Sequence, residues 1–240
     1  MTSPKTMCPV CGKVVTITGW NSKGDEGTIG FDCGHSLTQR ITKFSPKAPP
    51  APTLHFAGYD GFAAKIQSLG NKDLTDYHST TRYRIDIADY CLKLLLGNYD
   101  NGIAFSAGLT GFLVQAKATL DSLCEEINLY YNLNIATTKG RAVDVEKLLS
   151  NTHILSRRDR KFGNFLTQEL GPGSTWFKDF KDFRDQEGTH RKRSPRNLIF
   201  GKTHEIEIQV GGKKVEIGTY CVDLIQRINR LLEDSYRYMT

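Results

Sequence analysis

Three cysteines and a histidine near the start of the chain have the types and spacing of metal ligands. Cys8 and Cys11 are separated by two residues, and Cys33 is separated from His35 by one. Two turns of this kind can each offer two ligands to a tetrahedral ion, and zinc prefers thiolate and imidazole donors. The pattern therefore predicts a zinc site. A redox-active cysteine pair is the alternative, and water or another residue could replace His35 as the fourth ligand.

The predicted zinc has a structural role. Three cysteines and one histidine complete a tetrahedral set, so no coordination position is left for a substrate. The segment 1–44 is too short to be stable through apolar burial alone, and metal binding would supply folding free energy. Glycines follow Cys11 and Cys33 and let each turn curl around the ion. With β-prone runs at 14–18, 28–31 and 37–41, the segment resembles a zinc ribbon.

A second group suited to chemistry lies late in the chain. Arg184 and Asp185 are adjacent, and His190 follows Arg184 after five intervening residues. Histidine titrates near neutral pH and can move the proton of a ribose 2′-hydroxyl, while a guanidinium offers a fork of donors to a phosphate. The group predicts acid–base chemistry on a phosphodiester. In the structural alternative, Arg184 pairs with Asp182 or Glu187 and His190 caps a helix end.

Positive charge is concentrated around this second group. The chain has 32 basic and 26 acidic residues, a net charge of +6, and the twelve basic and six acidic residues within 157–202 account for that excess. A basic region without a bulky apolar helix face predicts a polyanionic partner, nucleic acid rather than a membrane; a solvated cationic face is the alternative. The candidate nucleic-acid contacts are Arg157, Arg158, Arg160, Lys161, Arg191, Lys192 and Arg193.

The composition is that of an ordinary globular protein. Hydrophobic residues make up 39% and charged residues 24% of 240, which excludes disordered and collagen-like classes. No apolar run of membrane-spanning length is present, and the first residues lack the pattern of a secretory signal, so we expect a soluble cytoplasmic protein. Neither a P-loop nor a GxGxxG motif occurs, which argues against nucleotide hydrolysis and dinucleotide binding.

A proline-rich segment divides the chain. Four of the eight prolines fall within residues 45–53, where they predict an extended connector that joins neither a helix nor a sheet interior. The predicted domains are therefore a zinc ribbon at 1–44, a linker at 45–58 and a helical domain at 59–240.

Apolar residues beyond the linker recur every three or four positions, as in amphipathic helices. The longest seam, from Leu109 to Tyr130, predicts a helix about 40 Å long that must pack against long partners. The predicted fold class is mainly α, a helical bundle with one inserted β-hairpin, plus the small β ribbon. Predicted helices span 74–96, 103–133, 144–150, 157–170 and 175–187, followed by the hairpin at 204–217 and a terminal helix.

Single residues in this domain carry further expectations. Ser174 is a candidate N-cap for the helix that follows it. Cys91, Cys124 and Cys221 stand alone in apolar patterns and are expected to be small buried residues. The aromatic residues within 176–183 share one helical face, which favours a role in the bundle core or a dimer contact over base stacking.

The arginine–histidine motif and its position in the helical domain resemble the HEPN superfamily. The resemblance covers about residues 60–238: long apolar helices precede the motif, Trp176 to Phe180 lies directly before it, and one helix follows. It implies a HEPN-like bundle that forms a homodimer and acts as an endoribonuclease without a metal or other cofactor in catalysis.

The resemblance also implies roles for individual residues. His190 would be the general acid and base, Arg184 would hold the scissile phosphate, and Asp185 would orient one of them. Residues 191–193 would bind flanking phosphates.

Related domains are common in toxin and antiviral defence systems, which implies a possible protein regulator or antitoxin as a partner. Two alternatives remain at this stage. One is a non-catalytic HEPN module that binds nucleic acid or protein. The other is a DNA-binding regulator with a zinc ribbon and a helical dimerisation domain.

Overall fold

A computed structural model describes residues 5–7, 11, 13–23, 26–40, 49–98, 102–135, 142–185, 207–210 and 213–240. The chain divides into two compact units, Met1–Ser45 and Pro46–Thr240. None of the described helices combines the length and the apolar character needed to cross a membrane.

The first unit is a four-stranded antiparallel sheet with strands in sequential order. Among the residues of this unit whose burial is described, Val15 and Phe31 are buried apolar residues, and Cys33 packs against them. Three of the strands coincide with predicted runs, whereas the first was not predicted because three residues carry too little pattern. The strands are β1 Lys5–Met7, β2 Val14–Lys23, β3 Glu26–Phe31 and β4 Ser36–Arg40.

The second unit is mainly helical, as predicted, with one hairpin before the last helix. Its helices are α1 Ala57–Leu69, α2 Lys72–Leu96, α3 Gly102–Tyr130, α4 Val145–Ser150, α5 Thr152–Arg158, α6 Arg160–Leu170, α7 Thr175–Arg184 and α8 Ile217–Met239. The hairpin consists of β5 Glu207–Val210 and β6 Lys213–Glu216.

Helix α3 carries the predicted apolar seam, and burial confirms it. The six seam residues from Leu109 to Ile127 are each at most 4% exposed, and the last, Tyr130, is partly buried. Helix α2 runs antiparallel along α3 at close range: a Cβ on Gly108 would lie 2.7 Å from the Leu95 backbone nitrogen. Glycine at this position therefore allows the two backbones to approach. The seam residues are Leu109, Leu113, Ala116, Leu120, Leu123 and Ile127.

Several helix starts are fixed by side chains that accept backbone N–H groups. Asn71 accepts from Leu74 at 3.1 Å, and Asp144 accepts from Lys147 at 2.8 Å. Ser174 lies at the predicted N-cap position of α7, but its hydroxyl makes no capping bond and has no partner among the described residues.

One predicted helix is two helices. The pattern predicted a single helix over 157–170, but α5 ends at Arg158 and α6 begins at Arg160. Asp159 between them is extended, and its carboxylate accepts the Phe162 N–H at 2.9 Å. Capping by this carboxylate stabilises a new helix start where periodicity alone indicates continuity.

The predicted linker extends too far. Helix α1 begins at Ala57, inside the 45–58 segment. Asn229 of α8 accepts the His55 N–H at 2.9 Å and donates to the His55 carbonyl at 2.8 Å, and Glu233 accepts the Gly58 N–H at 2.6 Å. These partners lie about 174 residues away along the chain, so no local pattern indicates them.

The predicted small buried cysteines are confirmed at two of three positions. Cys124 and Cys221 are fully buried, and burial raises the pKa of both thiols. Cys91 is only partly buried and faces Gly111. Phe177, Phe180 and Phe183 belong to the core, as the spacing favoured.

A buried carboxylate joins four helices. Glu126 of α3 is fully buried and lies 2.8 Å from His78 Nδ1 of α2. It also accepts hydrogen bonds from the hydroxyls of Thr81 in α2 and Tyr236 in α8, the latter at 3.1 Å. The other His78 nitrogen lies 3.2 Å from the backbone carbonyl of Tyr59 in α1. Both ring nitrogens of His78 thus lie within hydrogen-bond distance of an oxygen atom.

Burial raises the pKa of the Glu126 carboxyl, and the hydrogen bonds from His78, Thr81 and Tyr236 offset only part of that rise. These three side chains therefore replace the hydrogen bonds that water would make to an exposed carboxyl group.

We expect Glu126→Ala to lower the free energy of unfolding by about 3–5 kcal/mol, because it leaves buried His78 and the buried Tyr236 hydroxyl without this partner, whereas the Thr81 hydroxyl keeps the Tyr77 carbonyl at 3.1 Å. Asp86→Ala is the control, since it removes one partner of an exposed pair with Arg82 and should cost less than about 1 kcal/mol. Urea denaturation followed by far-ultraviolet circular dichroism measures both. Equal losses would show that the Glu126 contacts contribute nothing beyond surface pairing.

Candidate functional site

Three of the four predicted metal ligands lie together in the first unit. The ligand atoms of Cys11, Cys33 and His35 all lie within 4.8 Å of one another. The two sulfurs are 3.8 Å apart, and Cys33 Sγ lies 3.4 Å from His35 Nδ1. Cys8 lies outside the described residues.

Two of these separations, between the sulfurs of Cys11 and Cys33 and between Cys33 Sγ and His35 Nδ1, fit one tetrahedral metal ion. With metal–sulfur bonds of about 2.3 Å and a metal–nitrogen bond of about 2.0 Å, tetrahedral angles place two sulfurs about 3.8 Å apart and a sulfur and a nitrogen about 3.5 Å apart. The observed sulfur separation is also far too long for a disulfide bond. The Cys11, Cys33 and His35 group could hold a metal.

The backbone brings Cys33 and His35 to the same side of a tight turn. Gly34 between them has a positive φ of 82°, a conformation that favours glycine. The turn is closed by a 3.0 Å hydrogen bond from the Phe31 N–H to the His35 carbonyl, and Asp32 accepts the Thr16 N–H at 3.0 Å. The turn between β3 and β4 is thereby fixed to β2, independently of any ion.

Arg184 and Asp185 form a close pair at the end of α7. Arg184 Nε and Nη2 lie 2.9 Å and 2.5 Å from the same carboxylate oxygen of Asp185. The side chain of Arg184 is 20% exposed, and that of Asp185 is 49% exposed. Asp182, one of the two alternative partners, forms no ion pair with Arg184, whereas Glu187 lies outside the described residues. A guanidinium has five N–H donors, so the pair leaves capacity to bind a phosphate.

The last turn of α7 is fixed in the bundle by packing and by ion pairs. Phe183 is 3% exposed and meets the Tyr220 ring of α8 edge to face, with centroids 5.3 Å apart. One turn before Arg184, Lys181 lies 3.0 Å from Glu146 of α4, and Glu146 lies 3.7 Å from Lys117 of α3. The Arg184 side chain therefore extends from a helix end held by two neighbouring helices, α8 and α4.

The charge state of Glu146 follows from these contacts. Burial alone would raise its pKa, but the hydrogen bond from Lys181 and the positive charge of Lys117 together lower the pKa below the ordinary glutamate value. Glu146 is consequently anionic at neutral pH and anchors both lysines. Sequence reasoning missed it because its two partners are distant along the chain.

The rest of the predicted catalytic motif, His190 with residues 191–193, lies outside the described residues. Helix α7 ends at Arg184. Four of the candidate nucleic-acid contacts are described: all are exposed, and none forms an ion pair with a described residue. They flank the α5–α6 junction and are Arg157, Arg158, Arg160 and Lys161.

The remaining histidines behave as single surface or core residues. His153 is exposed, and the backbone of His55 is bound by Asn229. His78 is 3% exposed and pairs with fully buried Glu126, so this acid–base pair is inaccessible to a substrate. His204 lies outside the described residues.

No protein-family model, no curated protein and no solved structure gives a significant match to this chain.

We expect the metal-stripped chain to bind Co²⁺, a probe whose thiolate complexes absorb by sulfur-to-metal charge transfer. Cys11→Ser and Cys33→Ser should each weaken that binding at least about tenfold, because a hydroxyl is a poorer ligand than a thiolate. Cys91→Ser is the matched control, since that cysteine lies in α2, and it should bind as the unmodified chain does. Titration followed by absorbance tests this, and an unchanged signal in Cys11→Ser would contradict it.

Proposed function

We propose that this protein is a HEPN-like endoribonuclease that acts as a homodimer without a metal in catalysis, joined to a structural zinc ribbon. The observation that carries the proposal is the Arg184–Asp185 pair at a fixed helix end, with His190 following after five intervening residues. The net charge of +6 and the exposed basic residues at the α5–α6 junction support RNA as the substrate.

The proposed reaction needs only groups of this chain. One His190 accepts the proton of the ribose 2′-hydroxyl, and the resulting oxygen attacks the adjacent phosphorus. The bond from phosphorus to the 5′-oxygen breaks, and that oxygen takes a proton from His190 of the partner subunit. The products are a 2′,3′-cyclic phosphate and a 5′-hydroxyl end.

Arg184 contributes electrostatic stabilisation in this scheme. Negative charge builds on the phosphate oxygens as the 2′-oxygen attacks, and a guanidinium aimed at them lowers the barrier. Asp185 holds the planar group through two N–H donors, so less side-chain freedom is lost when the phosphate binds. Asp185 is thus a positioning residue that orients the Arg184 guanidinium.

For the first unit we propose zinc as the metal, held by Cys11, Cys33, His35 and Cys8. Thiolate and imidazole donors at these separations fit zinc, and three thiolates with one imidazole leave no open position. The segment 1–44 is too short to be stable through apolar burial alone, so the ion would supply folding free energy.

Exposed apolar side chains on α2 and α3 support a second copy of the chain as the partner. Tyr83 and Tyr90 are 63% and 67% exposed and lie seven residues apart on one face of α2, and Val114 of α3 is 38% exposed. Four such tyrosines in a dimer would cover on the order of 500 Å². That is about a third of a standard interface of roughly 1,600 Å².

The nearby charges also suit a copy of the same surface. Arg82 pairs with Asp86 and Lys93 with Asp89, each within about one helix turn. Arg84 donates to the side chain of Gln115 in α3 at 2.9 Å, so its guanidinium is directed along α3. A surface of exposed tyrosines whose neighbouring charges are engaged within the subunit suits association with a second copy.

We expect RNA incubated with the protein in the presence of EDTA to yield fragments with 2′,3′-cyclic phosphate ends. His190→Ala should slow cleavage by about 10²–10⁴-fold, since it removes the proton transfer. Arg184→Lys should slow it by more than about tenfold, because a point charge replaces a bidentate fork. Arg230→Ala, an exposed arginine of α8, is the control and should leave the rate unchanged.

Initial rates on a labelled oligonucleotide, with end-group analysis of the products, give the measurement. Intact RNA with the unmodified protein, or full activity in His190→Ala, would overturn the nuclease proposal.

We expect the unmodified chain to have twice its monomer mass of 26.9 kDa in solution. Tyr90→Glu and Val114→Arg should each shift it towards the monomer, because a buried unpaired charge opposes association. Leu69→Arg is the control: Leu69 is 53% exposed but lies on α1. Light scattering coupled to gel filtration measures the mass, and a monomeric unmodified protein would contradict the dimer.

A further inference from the structure

Four cations meet at the junction of α5 and α6, here named the basic corner and formed by Arg157, Arg158, Arg160 and Lys161. All four are exposed. Asp159 lies among them, but its carboxylate accepts the Phe162 N–H at 2.9 Å and the Tyr131 hydroxyl at 3.3 Å. These bonds keep the carboxylate within the fold, so the corner keeps a net positive charge of three.

Aromatic rings lie directly beside this corner. Phe165 follows Lys161 by one helical turn, so their side chains are neighbours on α6. The ring of Tyr238, at the end of α8, lies 5.2 Å from the ring of Phe165 and 5.2 Å from that of Phe162. Tyr238 is 40% exposed, whereas Phe162 beneath it is fully buried. The exposed ring therefore rests on a rigid base.

The rings continue towards the end of α3. Phe162 lies 5.8 Å from Tyr131, and Tyr131 lies 4.9 Å from Tyr130. The partly exposed members of this series are here named the aromatic strip and are Tyr130, Tyr131, Phe165 and Tyr238. The strip contacts the corner twice: Tyr131 bonds to Asp159, and Phe165 adjoins Lys161.

We infer that the basic corner and the aromatic strip bind single-stranded nucleic acid, with phosphates at the cations and an unpaired base stacked on Tyr238. Cations that follow the backbone beside exposed rings are the two elements of single-strand binding. A duplex would use only the cations, because its bases are stacked on each other and cannot reach a ring. The inference deepens the proposed function by specifying a single-stranded substrate region, and it rests on that proposal for the choice of RNA.

Neighbouring charges do not cancel the corner. Arg237 precedes Tyr238 and pairs with Asp234 at 3.1 Å, so this acidic group is balanced within its own helix. Lys65 of α1 lies with its Nζ 5.3 Å from the Tyr130 ring centroid and donates to the carbonyls of Met239 and Thr240 at 2.8 Å. This lysine therefore fixes the end of α8 beside the strip.

The test measures binding of a labelled single-stranded DNA and of its duplex by fluorescence anisotropy. DNA lacks the 2′-hydroxyl, so the proposed reaction cannot cleave it. We expect Tyr238→Ala to weaken single-strand binding about tenfold, the loss of one stacked base, and to leave duplex binding unchanged. Tyr238→Phe keeps the ring and should retain the affinity. Circular dichroism confirms that each variant is folded.

A pair of double variants separates local contacts from net charge. Arg157→Ala with Arg158→Ala should reduce the slope of log affinity against log salt by about 1.4, two phosphate contacts on a single strand. Arg227→Ala with Arg230→Ala removes the same charge from two exposed positions of α8 and should change the slope by much less. Equal changes of the slope in the two double variants would show that the affinity depends on net charge and not on the basic corner, and would overturn the inference.

The remaining outcomes are distinct. The inference would be overturned if Tyr238→Ala bound single-stranded DNA as tightly as the unmodified chain. It would also be overturned if the unmodified chain bound neither DNA form, a result that would favour a protein as the partner of this surface. Binding that depends on the corner without RNA cleavage would overturn the nuclease and keep this inference. RNA cleavage with unaltered binding in all corner variants would overturn this inference and leave the nuclease proposal standing.

Discussion

The helical unit depends on a carboxylate that is held without solvent. Glu126 lies fully buried and is bound by His78, Thr81 and Tyr236, which come from α2 and α8. Since an isolated buried charge is very costly, these three side chains must be in place for the core to form. Through the second nitrogen of His78 the same network reaches the Tyr59 carbonyl of α1. The position of α8, and of the rings it carries, is therefore tied to the middle of the bundle.

The proposed catalytic group and the proposed binding surface are placed by different contacts within this frame. Arg184 is positioned by buried Phe183 and by the Lys181–Glu146 pair, which connect α7 to α8 and α4. Tyr238 is positioned by Phe162 and Phe165 of α6. Both are side chains on rigid helix ends, where a small loss of freedom on binding favours defined contacts with a phosphate or a base.

Much of the fold follows from local pattern. The α3 seam has apolar residues at every third or fourth position, and each of them from Leu109 to Ile127 is buried because a helix presents that stripe to one side. The break at Asp159 and the start of α1 at Ala57 do not follow from it. Asp159 could equally be an exposed residue of a continuous helix, and α1 is fixed by Asn229 and Glu233, far away in the chain.

The sequence alone determined the candidate chemistry: which residues could bind a metal, which could move a proton and where the positive charge lies. Those properties belong to side-chain types and short spacings, so Cys33 and His35 could be paired from a single intervening glycine. Only the tertiary structure decided which distant groups meet. Glu146 anchors Lys181, and Tyr238 lies beside Phe165. Such long-range contacts depend on how the helices pack against each other, and no periodicity within one segment encodes them.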